Sequence, residues 1–536
     1  MALLQRDQAP PPHYYAGRIL DMLAGVERQY SDLLAPSERT WIDAYRRSTP
    51  CSQRLLARLV GRKGPLFRVD SLDYPEVGQA RRALDELESR GLVQIDPCGP
   101  ADAQLVLLTC TELNALFPRI RRMPKARLVD HVAARYPDVA IRARIAARHR
   151  LVGLVGRDVI ERLQVLFFGG AADLSTFVLQ DLGILRYESY ELDPARRLFV
   201  DRNMFDRFLA LARLRDDIGA LEQAWDGSRA REIADALARP EAARLLERRR
   251  GQILNRLGAA AERADDTALA LAVYASSDRP PARERRVRIL ARLGEQDAAR
   301  ALTEKMRAEP LASTEAQFAA AFSGRRMRPL PSPRETRLRL ARAPRHDVES
   351  AALAAVLANG GVGRHLENQL PLTLFGLAFW DVVFAPIEGA FSHAFQERPL
   401  DLYWSDFRAA REEAIDRRLR ELSDPAALRR RVLATHDAKH GVVNALVAWG
   451  AIDRDFLERL VATIPAATWC AIFDHLLDDL EHRRQGFPDL TVVYGTGAWE
   501  WLEVKGPGDQ LRREQRIWFD FFARHGMPAR VVRVDW

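Results

Sequence analysis

The stretch 486-GFPDLTVVYGTGAWEWLEVKGPGDQLRREQRIW-518 constrains the fold of this 536-residue chain more than any other. Two apolar runs, Leu490–Val493 and Trp499–Val504, flank the turn Gly495-Thr496-Gly497 and predict a β-hairpin. Residues 509–524 carry a helical pattern, and 530-RVVRV-534 predicts a closing strand. With the helical stretch 455–483 in front, the order helix, hairpin, helix, strand describes an α/β core.

The pleat of the second strand puts Glu503 and Lys505 on one face and turns Val504 to the other. Asp489 follows a proline and enters the first strand, so a short hairpin brings it beside Glu503. Two adjacent carboxylates repel unless a cation lies between them, and Mg²⁺ takes hard oxygen ligands. Such an ion acidifies bound water and neutralises charge developing on a phosphodiester. A neighbouring ammonium orients the nucleophile or stabilises that charge. The alternative is an ordinary solvated hairpin whose Glu and Lys are exposed. Among 81 basic residues only positions 63, 125, 305, 439 and 505 are lysine, which sets Lys505 apart in an arginine-rich chain.

One core cannot serve this length, so several domains are expected. A hydrophobic content of 47% with 29% charged residues describes a globular chain and excludes a disordered one. Cys51, Cys98, Cys110 and Cys470 show no zinc or disulfide spacing, which fits a reducing cytoplasm. No signal peptide and no membrane-spanning apolar run is evident, so an intracellular protein is expected. The net charge of +8 is mild and suits a polyanionic partner.

Residues 1–105 read as a helical, winged-helix-like domain, with the amphipathic helix in 77–91 closed by Gly91 before the β-like 92–95. There Arg58, Arg62 and Lys63 either contact phosphates or form a solvated face. Residues 106–204 read as a SAP-like DNA-binding region. Thr109 and Thr111 are candidate helix caps, and Pro124 can start a second helix. The turn Arg119, Arg121, Arg122, Lys125 between these helices is basic. Residues 205–325 are rich in Ala, Leu and Arg, with small residues where paired helices approach and a Pro280-Pro281 break, as in tetratricopeptide-like repeats. The Pro- and Arg-rich 323–342 reads as a linker into a last domain, 326–536, in which 372–384 is a buried helix.

The combination of P-D-L, E-V-K-G-P, D-x-L and Q-x-x-W (Gln515, Trp518) resembles the VRR-NUC branch of the PD-(D/E)xK nucleases. Upstream, E-x(8)-G-L-x-F-W-D (Glu367, Gly376, Trp380, Asp381) and Pro399 to Leu402 resemble the Fanconi-anaemia-associated nuclease family. The strongest matches cover about 365–536, and the order of domains extends the likeness over most of the chain. The resemblance implies a restriction-endonuclease-like α/β domain behind mostly α-helical N-terminal two thirds. It implies that Glu367, Asp489 and Glu503, with the carbonyl of Val504, ligate Mg²⁺ or Mn²⁺. Lys505 would be the catalytic lysine, and Gln515 would sit over the site. Asp381 and Glu388 are nearby acids, of which Asp381 beside Trp380 reads as structural. His482 and Arg484 either touch phosphate or cap a helix.

The implied activity is cleavage near 5′ flaps and 5′-to-3′ exonuclease action in interstrand-crosslink repair. Branched or flapped duplex DNA is the expected partner, for a monomer in a bacterial cytoplasm at the nucleoid. Two features depart from the family. No Cys-rich ubiquitin-binding finger precedes the DNA-binding part, so no ubiquitin partner is expected. Glu481 and Glu514 stand near positions where relatives carry basic residues for a 5′-phosphate. Two alternatives remain: a junction resolvase like some short VRR-NUC proteins, and a non-catalytic DNA-binding scaffold built on the repeats.

Overall fold

The computed structural model describes residues 14–535 except 63, 119–122, 171–184, 323–332, 341–347, 359 and 496. They fall into two compact units. One comprises the described residues up to Arg186, with Leu192–Arg202 and Ser392–Phe395, the other Tyr187–Glu191, Asn203–Phe391 and those from Gln396 onward.

In the first unit, helices Tyr14–Tyr30, Pro36–Arg46 and Pro50–Val60 precede β1 (Leu66–Arg68), and helix Ala80–Ser89 leads to β2 (Val93–Ile95). Gly91 turns the chain between that helix and β2 at φ +69°. The strand β3 (Leu151–Leu154) inserts between β1 and β2, antiparallel to both. The sheet thus draws one strand from beyond residue 105, within the span expected to be SAP-like. The run LVGL is too short for its periodicity to announce a strand. Between β2 and β3, four helices (Ala101–Leu105, Cys110–Leu116, Lys125–Arg135, Asp138–Ala146) close on Leu105, Leu113, Phe117, Leu128, Val132 and Ile145. The second is capped as its sequence suggests. The Thr109 hydroxyl accepts the Glu112 N–H at 3.2 Å, and the Glu112 carboxylate accepts the Thr109 N–H at 2.7 Å.

The second unit begins with successive helices, among them Arg244–Arg263, Thr267–Ala275, Ala282–Leu293, Gln296–Ala308 and Ser313–Ala321. The Pro-Pro break falls between the second and third of these. A Cβ on Gly258 would lie 2.6 Å from the Tyr274 ring, so a residue without a side chain is what lets the first two pack.

Beyond these helices lies a five-stranded sheet of order β4-β8-β7-β6-β5. The strands are β4 (Glu335–Arg339), β5 (Val362–His365), β6 (Leu490–Val493), β7 (Trp499–Lys505) and β8 (Ala529–Asp535). The expected hairpin is β6–β7, and β8 runs parallel to both β7 and β4. The strand β4 lies inside the expected linker. Its alternating Thr336 and Leu338 are half-buried between exposed charges, as an edge strand requires, and the Pro/Arg composition around it masked that alternation. Alternation also sorts the two faces. Leu490, Val492, Leu502, Val504, Val532 and Val534 pack on α1 (Val348–Leu357) through Ala352. On the opposite face Trp501 meets Phe522 of α2 (Arg513–Arg524), with ring centroids 4.9 Å apart. The helix expected over 509–524 starts only at Arg513. Among the described residues no single helix is long and apolar enough to cross a membrane.

Candidate active site

The strands β6 and β7 pair in the register Leu490↔Leu502, which brings Asp489, one residue earlier, beside Glu503. The Asp489 carboxylate accepts the Val504 N–H at 2.8 Å. On the other edge of β6, His365 of β5 pairs with Leu490. The N–H groups of Leu366 and Glu367 donate to the Asp489 carbonyl at 2.9 and 3.1 Å, and this carries Glu367 to the hairpin from far upstream. Glu367 adopts φ +47°, left-handed backbone that turns the chain from β5 toward the helix Gln369–Ala378. Gly486 sits at φ +91°, and a Cβ there would lie 2.4 Å from the Glu514 carbonyl carbon. Only glycine lets the loop before Asp489 press on the start of α2.

Glu503 is fully buried. Its Oε1 accepts the Lys505 ammonium at 2.6 Å and the Gln515 amide at 2.5 Å. Its Oε2 is buried with no hydrogen-bond partner among the described residues. Gln515 is fixed in turn, because its side-chain carbonyl accepts the Arg512 N–H at 2.9 Å. Burial pushes the Glu503 carboxyl up to about 8, with the Asp489 charge adding and Lys505 opposing. Burial also raises Asp489 against the pull of the Val504 N–H and Lys505. Both shifts describe acids crowded in a poorly solvated place.

Ligand atoms of His365, Glu367 and Asp489 all lie within 4.8 Å of one another. His365 Nε2 is 3.1 Å from Glu367 Oε1. Glu503 stands outside this trio. Three carboxylates, one with a bare buried oxygen, and an imidazole form a donor set that suits a divalent cation. The sequence reading missed His365. Its signal was the H-x-E spacing at a strand end, the same two-residue period that joins Glu503 to Lys505.

The structure thus brings Glu367, Asp489, Glu503, Val504, Lys505 and Gln515 to one end of the hairpin, with the Val504 side chain buried in the opposite face. Asp381 is bound by both Arg418 Nη atoms at 2.8 Å, in keeping with a structural role. His482 pairs with Asp479 at 2.8 Å, and the Asp479 carboxylate also accepts the His482 N–H, which is the capping alternative. Arg484 lies over the Tyr403 ring at 4.6 Å. The Glu481 carboxylate takes Arg279 at 2.6 Å and Arg248 at 3.4 Å. In the first unit, exposed Arg62 donates to the Tyr74 hydroxyl at 3.1 Å, and Lys125 donates to the Val106 carbonyl at 2.7 Å. Arg58 is engaged by Glu76 at 2.5 Å. Lys63, Arg121 and Arg122 lie outside the described residues.

A mixed sheet carrying two acids and a lysine across one hairpin, with a helix over it, is a PD-(D/E)xK nuclease domain of the VRR-NUC type. The VRR-NUC domain family matches residues 424–536, and the family described as "FAN1, HTH domain" matches residues 13–94. The chain is 33% identical to a Fanconi-associated nuclease 1 homolog of Pseudomonas aeruginosa, over 98% of this chain and 96% of that one. A homolog from Arabidopsis thaliana is 25% identical over 96% of this chain and 66% of its own length. A crystal structure of paFAN1 bound to 2nt 5'flap DNA with gap superposes with a TM-score of 0.89 at 32% identity, covering 99% of both chains. The chain belongs to the Fanconi-associated nuclease family and is a structure-specific DNA nuclease.

Proposed function

We propose that this nuclease hydrolyses phosphodiester bonds at 5′ flaps, and degrades from 5′ to 3′, with Mg²⁺ or Mn²⁺ held by Glu367, Asp489, Glu503 and the Val504 carbonyl. The observation that carries the site is Glu503, a fully buried carboxylate with one oxygen saturated by Lys505 and Gln515 and the other without a partner among the described residues. The substrate class rests on the relative whose structure holds flap DNA. When bound, the cation supplies charge neutralisation and an acidified water. Lys505 orients the attacking water and offsets charge growing on the phosphate, while Gln515 holds the Glu503 carboxylate in register. Arg62, Lys63, Arg121, Arg122, Lys125 and Arg484 contribute phosphate contacts, with Lys125 leaving the Val106 carbonyl to do so.

The helical inserts fill supporting roles in this reading. Residues 106–204 act as the SAP-like DNA-binding region, the helical pairs of 205–325 as TPR-like repeats, and residues 326–536 as the nuclease domain. The protein works as a monomer in the bacterial cytoplasm, at the nucleoid, in interstrand-crosslink repair. An end-labelled panel of 5′ flaps, nicks and four-way junctions, with Mg²⁺ or Mn²⁺, tests this. Flap cleavage lost in Asp489→Ala and Lys505→Ala is expected. Undiminished cutting by both variants would sink the site, and a preference for four-way junctions would favour a resolvase.

A further inference from the structure

We propose that His365 is a ligand of the catalytic cation, making the site a mixed imidazole–carboxylate centre that selects Mn²⁺ over Mg²⁺. The inference rests on the metal site proposed above and adds to it a residue and a preference. Three observations carry it. A ring nitrogen of His365 lies within 4.8 Å of carboxylate oxygens of both Glu367 and Asp489, the spacing of groups that can share one ion. The position is set by backbone, since His365 is paired with Leu490 in the sheet and Glu367 is pinned to the Asp489 carbonyl. Glu503, by contrast, has Oε1 occupied by two donors and stands outside the trio, so the nearest complete set of donors includes the imidazole.

The ring nitrogen that faces Glu367 is Nε2, 3.1 Å from its Oε1. Nε2 of His365 and the Glu367 carboxylate would both hold the cation, supplying one nitrogen and one oxygen donor. Imidazole is a borderline donor. It binds Mn²⁺ more readily than Mg²⁺, which prefers oxygen in strict octahedral geometry and holds its waters. An all-carboxylate site lacks that bias.

The test uses the full chain, stripped of metal and titrated with Mn²⁺ alone, followed by electron paramagnetic resonance. Nitrogen-14 modulation in the pulsed spectrum of bound Mn²⁺ is expected. It disappears in His365→Gln, whose side-chain amide has about the reach of Nε2 but offers no imidazole, and His365→Asn serves if that variant does not fold. The ratio of Mn²⁺ to Mg²⁺ affinity, from competition titration, is expected to fall about tenfold in the variant. Asp489→Ala is expected to abolish the Mn²⁺ site and its nitrogen signal together. Bound Mn²⁺ that needs Asp489 but shows no nitrogen coupling overturns the role of His365 while leaving the metal site intact. Mn²⁺ binding unaffected by Asp489→Ala overturns the metal site itself.

Discussion

The ammonium of Lys505 lies 2.6 Å from Glu503 Oε1, two residues away on the same face of one strand. Gln515 donates to the same oxygen, so one side of the carboxylate is saturated and the other is left bare in a buried place. That asymmetry allows Glu503 to serve a cation with one oxygen and its own lysine with the other. Lys505→Met is expected to lower kcat on a 5′ flap by about 10²–10³, the usual loss when a donor to developing charge is removed. DNA affinity, read by fluorescence anisotropy in Ca²⁺, stays near wild type. Lys505→Arg does not restore the rate, because a planar guanidinium is bulkier than an ammonium.

Among the described residues the Gln515 side chain hydrogen-bonds only to Glu503 and the Arg512 backbone. Gln515→Ala is expected to reduce flap cleavage about tenfold by freeing the carboxylate it positions. The loss falls in kcat at saturating DNA, whereas an effect confined to KM would mean that Gln515 binds substrate instead.

Burial raises Glu503 to about 8, against 4.5 for the exposed carboxyl of an unfolded chain. In chelator the folded protein therefore keeps a proton that the unfolded chain gives up. The associated stability is fully present below pH 4.5 and is lost as pH rises to about 8. Glu503→Gln removes this dependence, so its melting-temperature advantage over wild type is expected to grow from pH 5 to 8 and level off above. A difference that does not vary over that range would contradict the buried, proton-holding state.

His475 is buried between Trp518 and Phe521, and burial lowers its pKa from 6.5 to about 2. The unfolded chain takes up a proton that the folded one refuses. Stability is present above pH 6.5 and falls as pH drops toward 2. His475→Phe, with a ring suited to the same aromatic stack, is expected to flatten the fall in denaturant midpoint between pH 7 and 5.

Gly486→Ala places a methyl 2.4 Å from the backbone of Glu514 in a left-handed conformation. It is expected to destabilise the protein by about 2 kcal/mol in urea unfolding, through clash and strain. It also displaces the loop leading to Asp489, so activity is expected to fall more than in an exposed control such as Gly495→Ala.

The hairpin was legible because both strands announce themselves locally, and the same alternation that placed Glu503 and Lys505 on one face sent Val504 into the α1 side. Glu367 was reached through family likeness alone. Nothing local to it reveals the pairing of β5 with β6, a contact across more than a hundred residues, and the same pairing delivered the unnoticed His365. Strands β3 and β4 were missed for a similar cause. Each is short and finds its partners far along the chain, so neither periodicity nor composition marks them. Gln515 likewise came from the family likeness, through Q-x-x-W, and its hydrogen bond to Glu503 required the fold.

The order β4-β8-β7 has a consequence for how such an enzyme comes into being. β8 occupies the place between β4 and the strand that carries Glu503 and Lys505. A ribosome that stalled or stopped before residue 529 would release every acid and the lysine of the site without the strand that braces them. The unfinished product would expose a bare strand edge and invite degradation or aggregation.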